Sequence, residues 1–184
     1  MDVVVALHAA AALLLLVAGV AKIARPGPTT DLLAALGLPE RRSITMSIGI
    51  VESVVGLLAL AFGGPAAAVA TGALYVGFVV VVWRAMAAGA TSCGCFGRVD
   101  APPSWIHIAG NAALAAVSFA AVGGDAAVDV MARQPAGGIG FVAAVGVLAG
   151  LALVSFTALP EALAARHGTT AVAAPFRIDG QRRS

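Results

Sequence analysis

The run VVVALHAAAALLLLVAGVAKI, from Val3 to Ile23, decides the fold class. Only His8 interrupts its apolar character before Lys22. At 1.5 Å per residue, about twenty helical residues cross roughly 30 Å of hydrocarbon. The run does not read as a secretory signal. No basic segment precedes it, its apolar stretch is too long, and Lys22-Ile23-Ala24-Arg25 is a poor cleavage site. A retained transmembrane helix is expected.

Four further apolar runs follow, from Ile44 to Phe62, Ala66 to Val82, Trp105 to Val122, and Ile139 to Leu159 with a stop at Pro160. Apolar residues make up 60% of the chain and charged residues 11%, against about a quarter charged in a soluble domain. With a mean hydropathy of +0.99, most of the chain needs lipid as its solvent. The expected fold is an all-α membrane protein, an antiparallel four-helix transmembrane bundle plus a fifth span. Gly63, Gly64 and Pro65 alone separate the second and third runs, which predicts a tight hairpin. Thr30-Asp31, then Leu32, Leu33 and Leu36, then Gly37 and Pro39 predict a short surface helix capped by Thr30-Asp31. Gly146 and Gly150 form a pair of small residues that lets backbones approach. Packing the bundle is the expected use, and a dimer seam the alternative.

A net charge of +2 excludes nucleic acid as a partner and leaves the bilayer, with room for other membrane subunits. If the spans alternate, one side holds Lys22, Arg25, Arg41, Arg42, Arg84, Arg98 and the tail arginines, and the other only Arg133. The positive-inside rule then sets the N-terminus outside and the tail in the cytoplasm. The abundance of Ala, Val, Gly and Arg suits a GC-rich bacterial genome, hence a bacterial plasma membrane.

The two cysteines stand together in Thr91-Ser92-Cys93-Gly94-Cys95-Phe96-Gly97-Arg98. As a redox pair, Cys93 and Cys95 would close a small strained ring that Gly94 permits and that opens readily. Arg98 and the start of the fourth span would stabilise a thiolate. As metal ligands with His107 they fall short of a closed zinc site, so no metal is assigned. As inert cysteines they would merely pack. His107 is also placed to shuttle protons near this loop. Glu52 lies roughly 12 Å into its span, where a carboxylate costs about 2.5–3.5 kcal/mol. It needs a partner, and Lys22 is the obvious one. An ion pair joining the first two spans weighs slightly above proton relay or ligand binding. Asn111 is expected to hydrogen-bond between helices. His8 reads as packed or hydrogen-bonded, and Tyr75, Trp83 and Trp105 as interface or packing aromatics.

Gly19-Val20-Ala21-Lys22, Gly49-Ile50-Val51-Glu52 and Cys93-Gly94-Cys95-Phe96-Gly97 together resemble the methylamine-utilisation MauE family, within the DoxX-like small membrane proteins. The resemblance divides the chain into a four-helix domain over 1–122, a connecting loop and fifth span over 123–159, and a polar, mobile tail over 160–184. Asn111 matches the second residue of the family's Arg-Asn pair, but Gly110 stands where the family has Arg. The resemblance implies a maturation role for a disulfide-rich periplasmic enzyme with a protein-derived quinone, Cys93 and Cys95 acting with a thioredoxin-like partner. A bound quinone cofactor is conceivable, but no residue motif supports it. A cytoplasmic cysteine loop would sit on the wrong side for oxidative maturation. Relaying electrons outward would need a second thiol pair, which the chain lacks. The alternatives are a non-catalytic assembly or scaffold subunit and a small-solute transporter using Glu52.

Overall fold

The computed structural model describes residues 3–90, 102–133 and 135–171. Its regular structure is helical: α1 (Val3–Ala24), α2 (Gly27–Ala35), α3 (Arg42–Ala61), α4 (Gly64–Ala87), α5 (Trp105–Ala120), α6 (Ala127–Arg133) and α7 (Pro135–Ala171). Four helices have the length and composition to cross a membrane: α1, α3, α4 and, over Gly138–Pro160, α7. Helix α5 is apolar but shorter, with 16 residues. The chain is a multi-pass, all-α membrane protein.

Helix α1 is the centre of the bundle. It packs most extensively on α3, and α4 packs on α5; α7 and α5 cover further faces of α1. Its residues from Val5 to Ala18 are buried on nearly every side, as a helix apolar all round must be. The seam between α1 and α3 is antiparallel, and at three glycines the two backbones come into direct contact. A Cβ added at Gly19 would stand 2.5 Å from the Gly49 carbonyl oxygen, and one at Gly49 would stand 2.7 Å from the Gly19 carbonyl oxygen. Further along, a Cβ at Gly56 would meet the Ala12 carbonyl oxygen at 2.6 Å. Lipid tails are as apolar as leucine, so helices in a membrane gain by close backbone contact rather than by burying more oil. Three glycines make that contact possible.

The α3–α4 hairpin forms at the predicted glycines. Gly63 has φ +59°, and a Cβ there would strike the Ala126 backbone at 2.8 Å. It is therefore fixed both by conformation and by contact with the segment before α6. The second core layer joins Val5, Ala9 and Leu14 of α1 to Phe141, Val145 and Ala149 of α7.

Three expectations are corrected. Helix α2 starts at Gly27 with Pro26 as its N-cap, so Thr30-Asp31 is not the cap. The Thr30 hydroxyl instead donates to the Pro26 carbonyl at 2.9 Å and meets Thr45 Oγ1 of α3 at 3.0 Å, fastening the surface helix to the bundle. Helix α7 does not stop at Pro160 but runs through it to Ala171. Proline loses one backbone hydrogen bond, and at the membrane exit water can satisfy the freed carbonyl. The polar tail therefore begins as helix, and the rest of it lies outside the described residues. Gly146 and Gly150 are exposed, with nothing within 4 Å of a Cβ added at either, so they do not pack this bundle. The short helix α6 adds an element that no apolar run announced. Of the two uses expected for Tyr75, packing is the one found: it is buried, and its hydroxyl donates to the Ala11 carbonyl of α1 at 2.7 Å.

The two kinds of glycine should separate in unfolding experiments on the detergent-solubilised protein. Gly49→Ala is expected to lose about 1–3 kcal/mol through overpacking of the α1–α3 seam. Gly146→Ala should stay within about 0.5 kcal/mol of the parent.

Candidate functional site

The motifs Gly19-x-x-Lys22 and Gly49-x-x-Glu52 have one geometric meaning. Residues three apart share a helix face, so each glycine brings the backbones together one turn from a charged side chain. Lys22 Nζ donates to Glu52 Oε2 at 2.8 Å, and both side chains are buried. The pair predicted from the cost of a lone carboxylate is formed. Lys22 also lies over the Phe78 ring of α4, 5.6 Å from its centroid. Phe78 in turn meets Tyr75 edge-on, with centroids 5.7 Å apart. The charges are thus fixed by α1 and α3, and an aromatic pair on α4 closes over them.

On the other flank stands α5. His107, in its first turn, is buried, and its Nδ1 lies 2.9 Å from Ser104 Oγ. Asn111 does not bond between helices as expected. Its Nδ2 donates to the His107 carbonyl at 2.8 Å, within α5. A short polar side chain one turn along reaches its own backbone more easily than a neighbouring helix. Lys22, Tyr75, His107 and Asn111 nevertheless line one internal cavity of about 20 Å³, the size of a single water. Sequence reasoning grouped Lys22 with Glu52 and His107 with the cysteines, and missed that Lys22 and His107 share a cavity. No periodicity in one strand of sequence carries that information.

Phe156 of α7 completes this flank. Its ring stacks on His107 with centroids 5.7 Å apart and planes 18° from parallel. The same ring occupies the space beside Gly110, so that a Cβ at Gly110 would collide with it. Where the resembled pattern carries an arginine, this chain carries no side chain, and an aromatic ring from the fifth span fills the room. His8 is buried higher in α1, and neither ring nitrogen has a hydrogen-bond partner among the described residues. It is a packed histidine. Cys93, Cys95 and Arg98 lie outside the described residues. The family model of the methylamine utilisation protein MauE matches residues 2–124, two thirds of the chain and all of α1 to α5. The chain belongs to the MauE family. No curated protein and no solved structure matches it.

In this MauE protein the matched region ends before α6 and α7, yet α7 supplies Phe141, Val145, Ala149 and Phe156 to the interior. The aromatic girdle lies at the Lys22 end. Trp83, near the end of α4, and Trp105, which opens α5, are both exposed, as rings seated at a membrane interface are.

Breaking the ion pair from one side leaves an uncompensated buried charge. Lys22→Met alone is expected to cost about 3–5 kcal/mol, and adding Glu52→Leu should return most of that loss; unfolding in detergent measures both. A second cycle reads the fifth span. Gly110→Ala should destabilise by about 1–3 kcal/mol in the parent and by much less in a Phe156→Ala background, because the clash is with that ring.

Proposed function

We propose that this MauE protein is a thiol–disulfide exchange or maturation component of the membrane, with Cys93 and Cys95 as its redox pair and a thioredoxin-like protein as its partner. The observation that carries the reading is the spacing of the chain's two cysteines around Gly94, in a chain of the methylamine utilisation MauE family. Family membership does not itself assign methylamine chemistry to this chain.

Supporting circumstances come from the described ends of the segment that bears them. Helix α4 closes at Gly89 with φ +66°, and Ala90 N donates to the Ala85 carbonyl at 3.0 Å, which ends the helix sharply. Helix α5 begins at Trp105, which places His107 in its first turn. In sequence the pair falls between α4 and α5. In the exchange, a partner thiolate attacks one sulfur of the Cys93–Cys95 disulfide and forms a mixed disulfide. The partner's second thiol then displaces it. One S–S bond breaks and one forms, two electrons and two protons move to the pair, and no further oxidant is needed. In this reading Arg98 stabilises the thiolate and His107 accepts a proton. The basic residues give the orientation that goes with it, with the N-terminus outside, the C-terminus in the cytoplasm and the cysteines on the cytoplasmic side of a bacterial plasma membrane.

A non-catalytic scaffold is the second reading. In its favour is the outward face of α7, where Gly146 and Gly150 meet no other part of the chain. Alkylation of membranes poised in a series of thiol–disulfide buffers decides between them. The exchange reading expects both thiols to titrate together in one two-electron step, between about −270 and −120 mV. A pair that stays in one state across the series, or a Cys93→Ser, Cys95→Ser variant with undiminished function, favours the scaffold. An impermeant thiol reagent on intact cells reports the side.

A further inference from the structure

Helices α3 and α4 are joined by a tight hairpin but diverge away from it, and a crevice of about 400 Å³ lies between them. Its walls are mostly apolar, with Ile48 and Val51 on α3 and Leu74 and Phe78 on α4; Ser43 and Ser47 add hydroxyls on α3, and Glu52 lies at its base. A second space of about 100 Å³ lies beneath α2, and Ile48, Glu52 and Phe78 border both. The volume of the crevice falls within the range of small-molecule sites, about 300–1,000 Å³.

The carboxylate at the base is only half satisfied. Its Oε2 accepts from Lys22, while Oε1, fully buried, has no hydrogen-bond partner among the described residues. A buried charged oxygen without a donor is rare in folded proteins and marks a place where a donor is supplied from elsewhere. The surrounding surface says from where. Ile50, Val51 and Val54 of α3 and Val76, Val80 and Val81 of α4 are exposed, so the crevice mouth opens among side chains that face lipid. An occupant arrives dissolved in the bilayer.

We infer that this crevice binds a lipid-soluble phenol, with its ring against Phe78 and its hydroxyl donating to Glu52 Oε1. The electrostatics select a neutral donor. The Lys22–Glu52 pair is already balanced, so an anion would face the open carboxylate oxygen, and a cation would compete with Lys22. A phenol supplies one strong O–H donor on a flat ring, which suits an aromatic and aliphatic wall. Seating it requires the half-buried Phe78 ring to turn aside from the carboxylate. This inference is independent of the cysteines and survives their failure as a redox pair.

The test is photolabelling of the full-length protein in lipid nanodiscs. The probe is a 4-alkylphenol with a diazirine in its chain, compared with its methyl ether, which partitions alike but cannot donate. The phenol is expected to label α3 and α4 peptides around Val51 and Leu74 about tenfold or more above the ether, the factor a hydrogen bond to a charged group supplies. Leu74→Trp, which fills the crevice, and Val51→Trp, at its exposed mouth, should each abolish the excess. Equal labelling by phenol and ether overturns the inference. So does an excess that persists in both tryptophan variants.

Discussion

Two opposite charges inside hydrocarbon must lie within hydrogen-bond reach of each other, and the bundle is arranged to meet that requirement. A charged side chain at the centre of a membrane helix costs about 2.5–3.5 kcal/mol on insertion scales. The Lys22–Glu52 contact at 2.8 Å offsets this only if α1 and α3 approach until their backbones touch. Gly19, Gly49 and Gly56 allow the approach, and the charges sit one turn from the first two. Small residues and charged residues are thus one device, since neither works at this geometry without the other. Apolar residues of similar volume often match or exceed a buried ion pair in stability. Its presence on α1 and α3 therefore points away from simple cohesion and towards a use for the polarity.

The matched family region accounts for the pair but not for the whole interior. Residues 2–124 contain α1 to α5, and one face of α1, including Val5, Ala9 and Leu14, shares its core cluster with Phe141, Val145 and Ala149 of α7, which lie outside that match. Phe156 then reaches the polar flank, stacking on His107 and filling the space that Gly110 leaves. An arginine at position 110 would need that same room. The missing side chain and the added span are complementary facts, joined at a single ring. The fifth span is part of the core and not an appended anchor.

Much of this was legible in the sequence, for a physical reason. Hydropathy reports the solvent, so the apolar runs located α1, α3, α4 and α5 to within about five residues, and the apolar part of α7 but not its polar continuation to Ala171. The expense of a lone carboxylate forced a partner on Glu52, and only Lys22 was near the matching depth. What stayed hidden depends on which face a residue shows. Gly19 and Gly146 both stand among small residues in an apolar span, yet the first lies on a seam and the second faces outward. Tyr75 could serve at the interface or in the packing, and the Ala11 acceptor decides for packing, while Asn111 spent its donor on its own helix. Pro160 misled because a proline at the membrane exit forfeits a hydrogen bond that water can replace. Thr30 misled because a hydroxyl that can cap a helix can also pin it to a neighbour.

The two ends of the bundle differ in kind. At the Val3 end the connections are tight: Gly63 packs on Ala126, and the exposed Arg133–Asp125 pair closes the α6 region. Exposed pairs of that sort contribute little to stability. At the Lys22 end stand the inserted helix α2, the long connection between α4 and α5, the exposed tryptophans, and the basic residues Arg25, Arg41, Arg42 and Arg84. Loops that only join helices are short. The polar cavity and the exposed tryptophans thus stand at one end of the bundle, and the tight α3–α4 hairpin at the other. The buried ion pair is the part of the Lys22 end that reaches deepest into the membrane, because α3 carries Glu52 ten residues beyond its start at Arg42, about 15 Å along the helix.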